Sequence, residues 1–149
     1  MDIRFDNRVA IVTGAGTGLG RSHALGLAAR GAKVMVNDLG VTTDGQGSSS
    51  AAAEAVAQEI RDAGGEAMAH GCDVSDEAGV KDMVAQVMDA WGRIDILVNN
   101  AGITKDKSMK KLTDDDWNDV LDTNLGSVYA TCSEVLKIMM DQKYGRIIN

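Results

Sequence analysis

The chain has 149 residues, 44% of them hydrophobic and 25% charged, enough for one globular domain with a core of its own. A net charge of −7 with no basic run argues against nucleic acid and against an anionic membrane surface as partners. No apolar stretch reaches the length of a membrane span, and no signal peptide is expected at the start of the chain.

After a polar lead-in, Val9 to Thr13 reads as a short buried strand, and Gly14, Gly16, Gly18 and Gly20 follow at once. A helix-forming run begins at Leu19. Strand, glycine turn and helix is the context that a dinucleotide phosphate loop requires. Glycines let the backbone approach a pyrophosphate, and the helix N-terminus offers free N–H groups and a positive dipole end. The spacing is Thr-Gly-x-x-x-Gly-x-Gly rather than the commoner Gly-x-Gly-x-x-Gly, and an ordinary βα turn is the competing explanation. The first helix is expected over 18–30, burying Leu19, Leu25, Leu27 and Ala28, with Arg30 in its last turn and Gly31 just beyond. His23 reads as a packed or surface residue.

The second strand, 33–38, ends in Asp38, 18 residues after Gly20. That is near the spacing of an acid that binds a ribose 2′-hydroxyl. A carboxylate there accepts hydrogen bonds from the diol of NAD and repels the 2′-phosphate of NADP; a capping Asp is the alternative. Leu39 to Ser50 is a Gly- and Ser-rich loop, expected to be mobile or an insertion, whose serines can cap the helix over 50–63. The third strand, 66–72, leads into Asp73-Val74-Ser75-Asp76, with Ser75 the expected N-cap of a helix over 76–91. Val80, Met83, Val84 and Val87 fall on one face of that helix, and Gly92 ends it.

The fourth strand, 94–98, runs into Asn99-Asn100-Ala101-Gly102. The loop from Ile103 to Leu112 carries Lys105, Lys107, Lys110 and Lys111, which read first as a solvated loop and second as a contact for an anionic ligand tail. Thr113 followed by three acids starts a long helix that reaches about Gln142. Val120, Leu121, Leu125, Val128, Val135, Leu136 and Met139 supply its apolar positions, and Asn124 sits in its middle as a poor helix former. Residues 145–149 begin a fifth strand. Cys72 and Cys132 lie far apart and form no ligand pattern with the two histidines, so no metal site and a reducing, cytoplasmic setting are expected.

The order is βαβαβαβαβ, which predicts an α/β, Rossmann-like, doubly wound parallel sheet with helices on both faces. The glycine turn, Asp38, Asp73 and the segment from Asn99 to Gly102 all fall at carboxyl ends of strands, where ligands of such sheets bind.

These pieces, together with Asn124 inside Asp122-Thr123-Asn124-Leu125-Gly126, resemble the short-chain dehydrogenase/reductase family over the whole chain. The resemblance implies that Gly14, Gly16, Thr17, Gly18, Leu19 and Gly20 hold the pyrophosphate of NAD. It implies that Asp38 holds the ribose and that Asp73 and Val74 border the adenine. Asn100, Ala101 and Gly102 support sheet and cofactor, and Asn124 belongs to a proton relay. The stretch Val36-Asn37-Asp38-Leu39-Gly40 and the residues from Tyr144 to Ile148 look most like the hydroxyacyl-CoA dehydrogenase branch of multifunctional β-oxidation enzymes.

The departure lies in the catalytic Ser and Tyr-x-x-x-Lys. Position 148 after Tyr144 is Ile and position 133 after Tyr129 is Ser, so neither tyrosine has its lysine. The expectation is therefore one domain over 1–149, the N-terminal part of an NAD-dependent oxidoreductase acting on an alcohol or ketone, with the family's later strands and helices missing. A homo-oligomer or a complementing C-terminal chain is the expected partner. The alternatives are a non-catalytic NAD-binding module and a fragment that persists by self-association.

Overall fold

Five strands lie parallel in the order β3-β2-β1-β4-β5 in the computed structural model, which describes residues 3–40 and 50–149. In chain order the elements are β1 (Val9–Val12), α1 (Gly18–Ala28), β2 (Lys33–Asn37), α2 (Ala51–Asp62), β3 (Ala67–His70) and α3 (Glu77–Trp91). They continue with β4 (Ile96–Val98), α4 (Asp114–Leu121), a π-helical turn (Asp122–Gly126), α5 (Ser127–Gln142) and β5 (Arg146–Ile148). Ile11 pairs with Met35 on one side and Leu97 on the other, so β1 is the central strand. The chain runs outward from β1 to β3 and then returns to β4. The strand order therefore reverses between β1 and β4, the place where open α/β sheets bind ligands.

The expected doubly wound sheet is present. Ala10, Val12, Val34 and Val36 pack one face against Ala24, Val56 and Ile60 of α1 and α2. Val9, Ile11, Met35 and Leu97 pack the other against Met83, Val87, Val135 and Met139 of α3 and α5. Alternate residues of one strand feed opposite cores, which is why the strands read as continuous apolar runs. At the amino end of the sheet, Asp95 is fully buried and accepts from Arg8, Arg93 and the Val9 amide. Burial pushes its carboxyl upward, but those donors outweigh it and hold the group below the ordinary value.

Several local expectations are corrected. The N-cap of α3 is Asp76, not Ser75: its carboxylate accepts from the amides of Ala78 and Gly79, while Asp73 takes both the amide and the hydroxyl of Ser75. Ser50 precedes α2 without a side-chain cap bond. Leu19 is 73% exposed rather than buried; Gly20 and Ala24 are the buried residues of α1. Leu121, Leu125 and Leu136 are exposed as well. The loop expected from Leu39 to Ser50 lies mostly, at 41–49, outside the described residues. Among the described residues no helix is long and apolar enough to cross a membrane.

Candidate functional site

A cavity of about 600 Å³ opens at the carboxyl edge of the sheet, over the point where the strand order reverses. Its walls include Gly14, Thr17, Gly18 and Leu19 from the glycine turn, Asp38 from the end of β2, and Asp73 and Val74 from the turn after β3. Asn100, Ala101 and Gly102, after β4, complete it. Ten of the residues expected at a cofactor site thus line one cavity. Gly16 and Gly20 are not among its walls, and Asn124 lines a second cavity that shares Ile103 and Lys105 with it.

The glycine turn is held from below by Thr13 and Asn100. Thr13 Oγ1 donates to the Val98 carbonyl at 3.3 Å and accepts from the amides of Asn100 at 3.1 Å and Ala101 at 3.0 Å. The Asn100 side-chain amide donates to the carbonyls of Thr13 and Gly14, both at 3.0 Å. Asn100 is therefore a strut between β4 and the turn. Thr13 was not expected as a site residue; its signal is a hydroxyl at the last position of a buried strand, directly before the glycines.

Asp38 has both oxygens engaged. Oδ2 accepts from the Gly16 amide and Oδ1 from the Gly40 amide, each at 2.7 Å. A carboxylate has lone pairs left over after two such bonds, so it can still accept from a diol. Asp73 forms a closed turn with Ser75. Cys72 stands in the same wall, and burial pushes its thiol up to about 11, with the Asp73 and Asp76 carboxylates adding to the shift. It stays a protonated thiol at neutral pH.

Asn124 sits in the π-helical turn. Its Oδ1 accepts from the Ile103 amide at 2.8 Å and its Nδ2 donates to the Ile103 carbonyl at 2.9 Å. A single wide turn of this kind often marks a functional position in a helix. Here it aims the side chain at the loop after β4, and Ile103 and Thr123 on either side of that bond line the cavity. Lys105, with only 15% of its side chain exposed, lines the cavity too and faces Asp119 at 3.4 Å. Lys107 is paired with Asp116 at 2.7 Å. Two of the four loop lysines are thus engaged by carboxylates of α4.

The cavity fits a dinucleotide on two observations. Gly18 has φ +54° and a Cβ built there meets nothing within 4 Å, so backbone faces open space at the start of α1. Asp38 reaches the glycine turn, its Oδ2 accepting from the Gly16 amide at 2.7 Å, and keeps lone pairs for a diol beside that turn.

Residues 8–149 match the model of a family described as short chain dehydrogenase. The chain is 51% identical over 146 residues to the peroxisomal multifunctional enzyme type 2 of Drosophila melanogaster, covering 98% of this chain and 24% of that protein. It is 45% identical over 148 residues to the peroxisomal hydratase-dehydrogenase-epimerase of Saccharomyces cerevisiae, covering 99% of this chain and 16% of that one. A solved structure of a 7α-hydroxysteroid dehydrogenase complexed with NADH and 7-oxo glycochenodeoxycholic acid superposes with a TM-score of 0.87 at 32% identity. That match covers 97% of this chain and 52% of the other. The chain thus spans a quarter or less of these curated relatives and about half of the solved chain.

Proposed function

The chain belongs to the short-chain dehydrogenase family, and on that premise we propose that residues 1–149 form the dinucleotide-binding part of an NAD-dependent oxidoreductase. The observation that carries this is the convergence of the glycine turn, Asp38, Asp73, Val74 and the segment from Asn100 to Gly102 on one cavity.

Bound there, NAD supplies the hydride acceptor, or its reduced form the donor, for an alcohol–ketone pair. The amides of the turn and of the first turn of α1 hold the pyrophosphate, Leu19 covers it from the rim, and Asp38 accepts from the ribose diol. Asn100 and Thr13 keep the turn in place. Asn124 fixes the loop at Ile103, between the cavity and α4. Proton transfer at the substrate oxygen falls to a Ser and a Tyr-x-x-x-Lys that these 149 residues do not contain. The relatives named multifunctional enzyme and hydratase-dehydrogenase-epimerase support a 3-hydroxyacyl or 3-oxoacyl thioester as the substrate class. Their names also set a peroxisomal placement beside the expected cytoplasmic one, and a fluorescent fusion of the complete protein separates the two.

A second reading concerns assembly. Trp117, Leu121, Leu125, Tyr129, Leu136 and Met140 form an exposed apolar stripe along α4 and α5. A second copy of the chain covers it in this reading.

The test is a titration of the chain with NADH and, separately, NADPH, followed by nicotinamide fluorescence. Saturable NADH binding, tighter than that of NADPH, is the expected result. If neither nucleotide binds, the reading of the cavity fails.

A further inference from the structure

Asn37 closes β2 and is 1% exposed, on a strand otherwise made of Lys, Val and Met. A buried side-chain amide is retained only where its hydrogen bonds are met. Its Nδ2 donates to the carbonyls of His70 at 3.2 Å and Cys72 at 3.0 Å, and lies 3.3 Å from Cys72 Sγ. Its backbone carbonyl accepts from the Ala15 amide at 2.8 Å. One residue thus reaches three walls of the cavity: the glycine turn through its backbone, Asp38 as its neighbour, and the turn after β3 through its side chain.

The turn after β3 has other ties, but among the described residues the Asn37 amide is the tie from a side chain of β2. His70 Nδ1 accepts from the Cys72 amide at 3.2 Å, while its Nε2 faces Asp82 of α3 at 2.9 Å. The Asp73 carboxylate accepts from Ser75, and its backbone carbonyl accepts from the Asp76 amide at 3.1 Å. Those contacts shape the turn and anchor it to α3. The Asp38 amide donates to the His70 carbonyl at 3.1 Å, and beyond that last backbone bond the Asn37 amide carries the tie on to Cys72.

We propose that Asn37 is a positioning residue of the cavity: by tying Cys72 to the end of β2 it fixes the gap between Asp38 and the Asp73–Val74 wall, and so makes that end selective for a purine nucleoside. This rests on the reading of the cavity as a dinucleotide site. The residue touches no reacting atom; it acts through the turn it holds.

The test compares NADH with reduced nicotinamide mononucleotide, which lacks the adenosine half, on the wild-type chain and on Asn37→Leu. Leu keeps the branched outline of the side chain and removes both donors. The expected result is NADH binding weakened about tenfold or more, with the mononucleotide within about twofold of its wild-type affinity and a cooperative melt retained. Asn37→Ser, too short to span to Cys72, should shift the same ratio. An unchanged ratio in a folded variant overturns the proposal, as does loss of cooperative melting in both variants, which would make Asn37 a core strut. If the wild-type chain binds neither NADH nor NADPH, the dinucleotide reading fails, and the failure is seen before any variant is made.

Discussion

The Gly16 amide donates to Asp38 Oδ2 at 2.7 Å. The acid at the end of β2 is therefore a clasp on the glycine turn as well as a candidate ribose acceptor, and its second oxygen holds Gly40. Replacing it with Ser removes a fixed negative charge and both backbone acceptors. Asp38→Ser should shift the NADH-to-NADPH affinity ratio about tenfold toward NADPH, roughly 1.4 kcal/mol. It should also lower stability by about 1–2 kcal/mol through the two orphaned amides. Paired titrations and a urea melt check both. An unchanged affinity ratio would remove Asp38 from the ribose.

Gly20 lies where helix, turn and β4 meet. A Cβ there would run into the Gly14 carbonyl and the Asn100 side-chain amide, and both belong to rigid parts of the turn. Gly20→Ala should cost about 1–3 kcal/mol by overpacking and displace the strut that Asn100 makes. NADH binding should fall with it. Thermal melting and a fluorescence titration read the two effects, and a variant as stable and as avid as the parent would contradict this geometry.

The sheet was legible because its signals are local and redundant. Continuous runs such as Val34-Met35-Val36 announce a strand buried on both faces, and Val80, Met83, Val84 and Val87 announce the inner face of α3. The carboxyl edge was legible because Asp38, Asp73 and Asn100 follow strands directly. What escaped is the partnering of polar groups across the fold. Ser75 and Asp76 are both good caps, and only the capture of Ser75 by Asp73 decides between them. Leu19 has the composition of a core residue and the position of a cavity rim. Thr13 and Asn37 make their decisive bonds to residues 85 or 33–35 positions away, which no local pattern encodes. Asn124 stood out as a poor helix former, but its partner Ile103 lies 21 residues upstream.

That Asn124–Ile103 pair gives the next prediction. Asn124→Ala deletes both bonds to the Ile103 backbone and restores helix propensity at the same time. The net loss should be about 1 kcal/mol in global stability. Amide exchange should quicken at Ile103, because the side-chain acceptor of that N–H is gone. Exchange at Val128 and Ala130, within α5, should hold. Unaltered protection at Ile103 would show that the pair does not fix the loop.

The start of α4 should be sensitive to acid. Asp116 closes a capping box with Thr113 and accepts both bonds from Lys107. The Lys107 ammonium, then the amide and hydroxyl of Thr113, hold its carboxyl at about 2. A lowered folded-state pKa means a contribution present above the unfolded value of 3.8 and lost as pH falls through about 2. Lys107→Met removes the largest cause, so the acid transition followed by circular dichroism should move to higher pH. The neutral-pH melt should change little, as expected for a partly exposed pair. An acid midpoint identical to the parent's would mean that Lys107 does not hold this carboxylate.

The apolar stripe on α4 and α5 follows from the same wide turn that carries Asn124. Trp117, Leu121, Leu125 and Tyr129 recur every fourth residue, a spacing that drifts around a regular helix. The π-helical turn over Asp122–Gly126 takes more residues per turn and keeps the four on one side, with Leu136 and Met140 continuing the line. Leu125, Tyr129 and Met140 are each more than three-fifths exposed. A contiguous stripe of this kind is costly to leave in water. With a second copy over it, the melting temperature should rise with protein concentration, because association stabilises the folded state by mass action. Leu125→Glu and Tyr129→Lys should abolish that dependence and leave a species of monomer mass by light scattering. Neither side chain is part of either core, so the fold itself should tolerate the changes. A parent chain that stays monomeric across the concentration series, with a constant melting temperature, would leave the second copy without support. The stripe would then be sought by other segments of a longer protein, and a complementing C-terminal chain added in trans should protect Leu125 and Tyr129 from solvent.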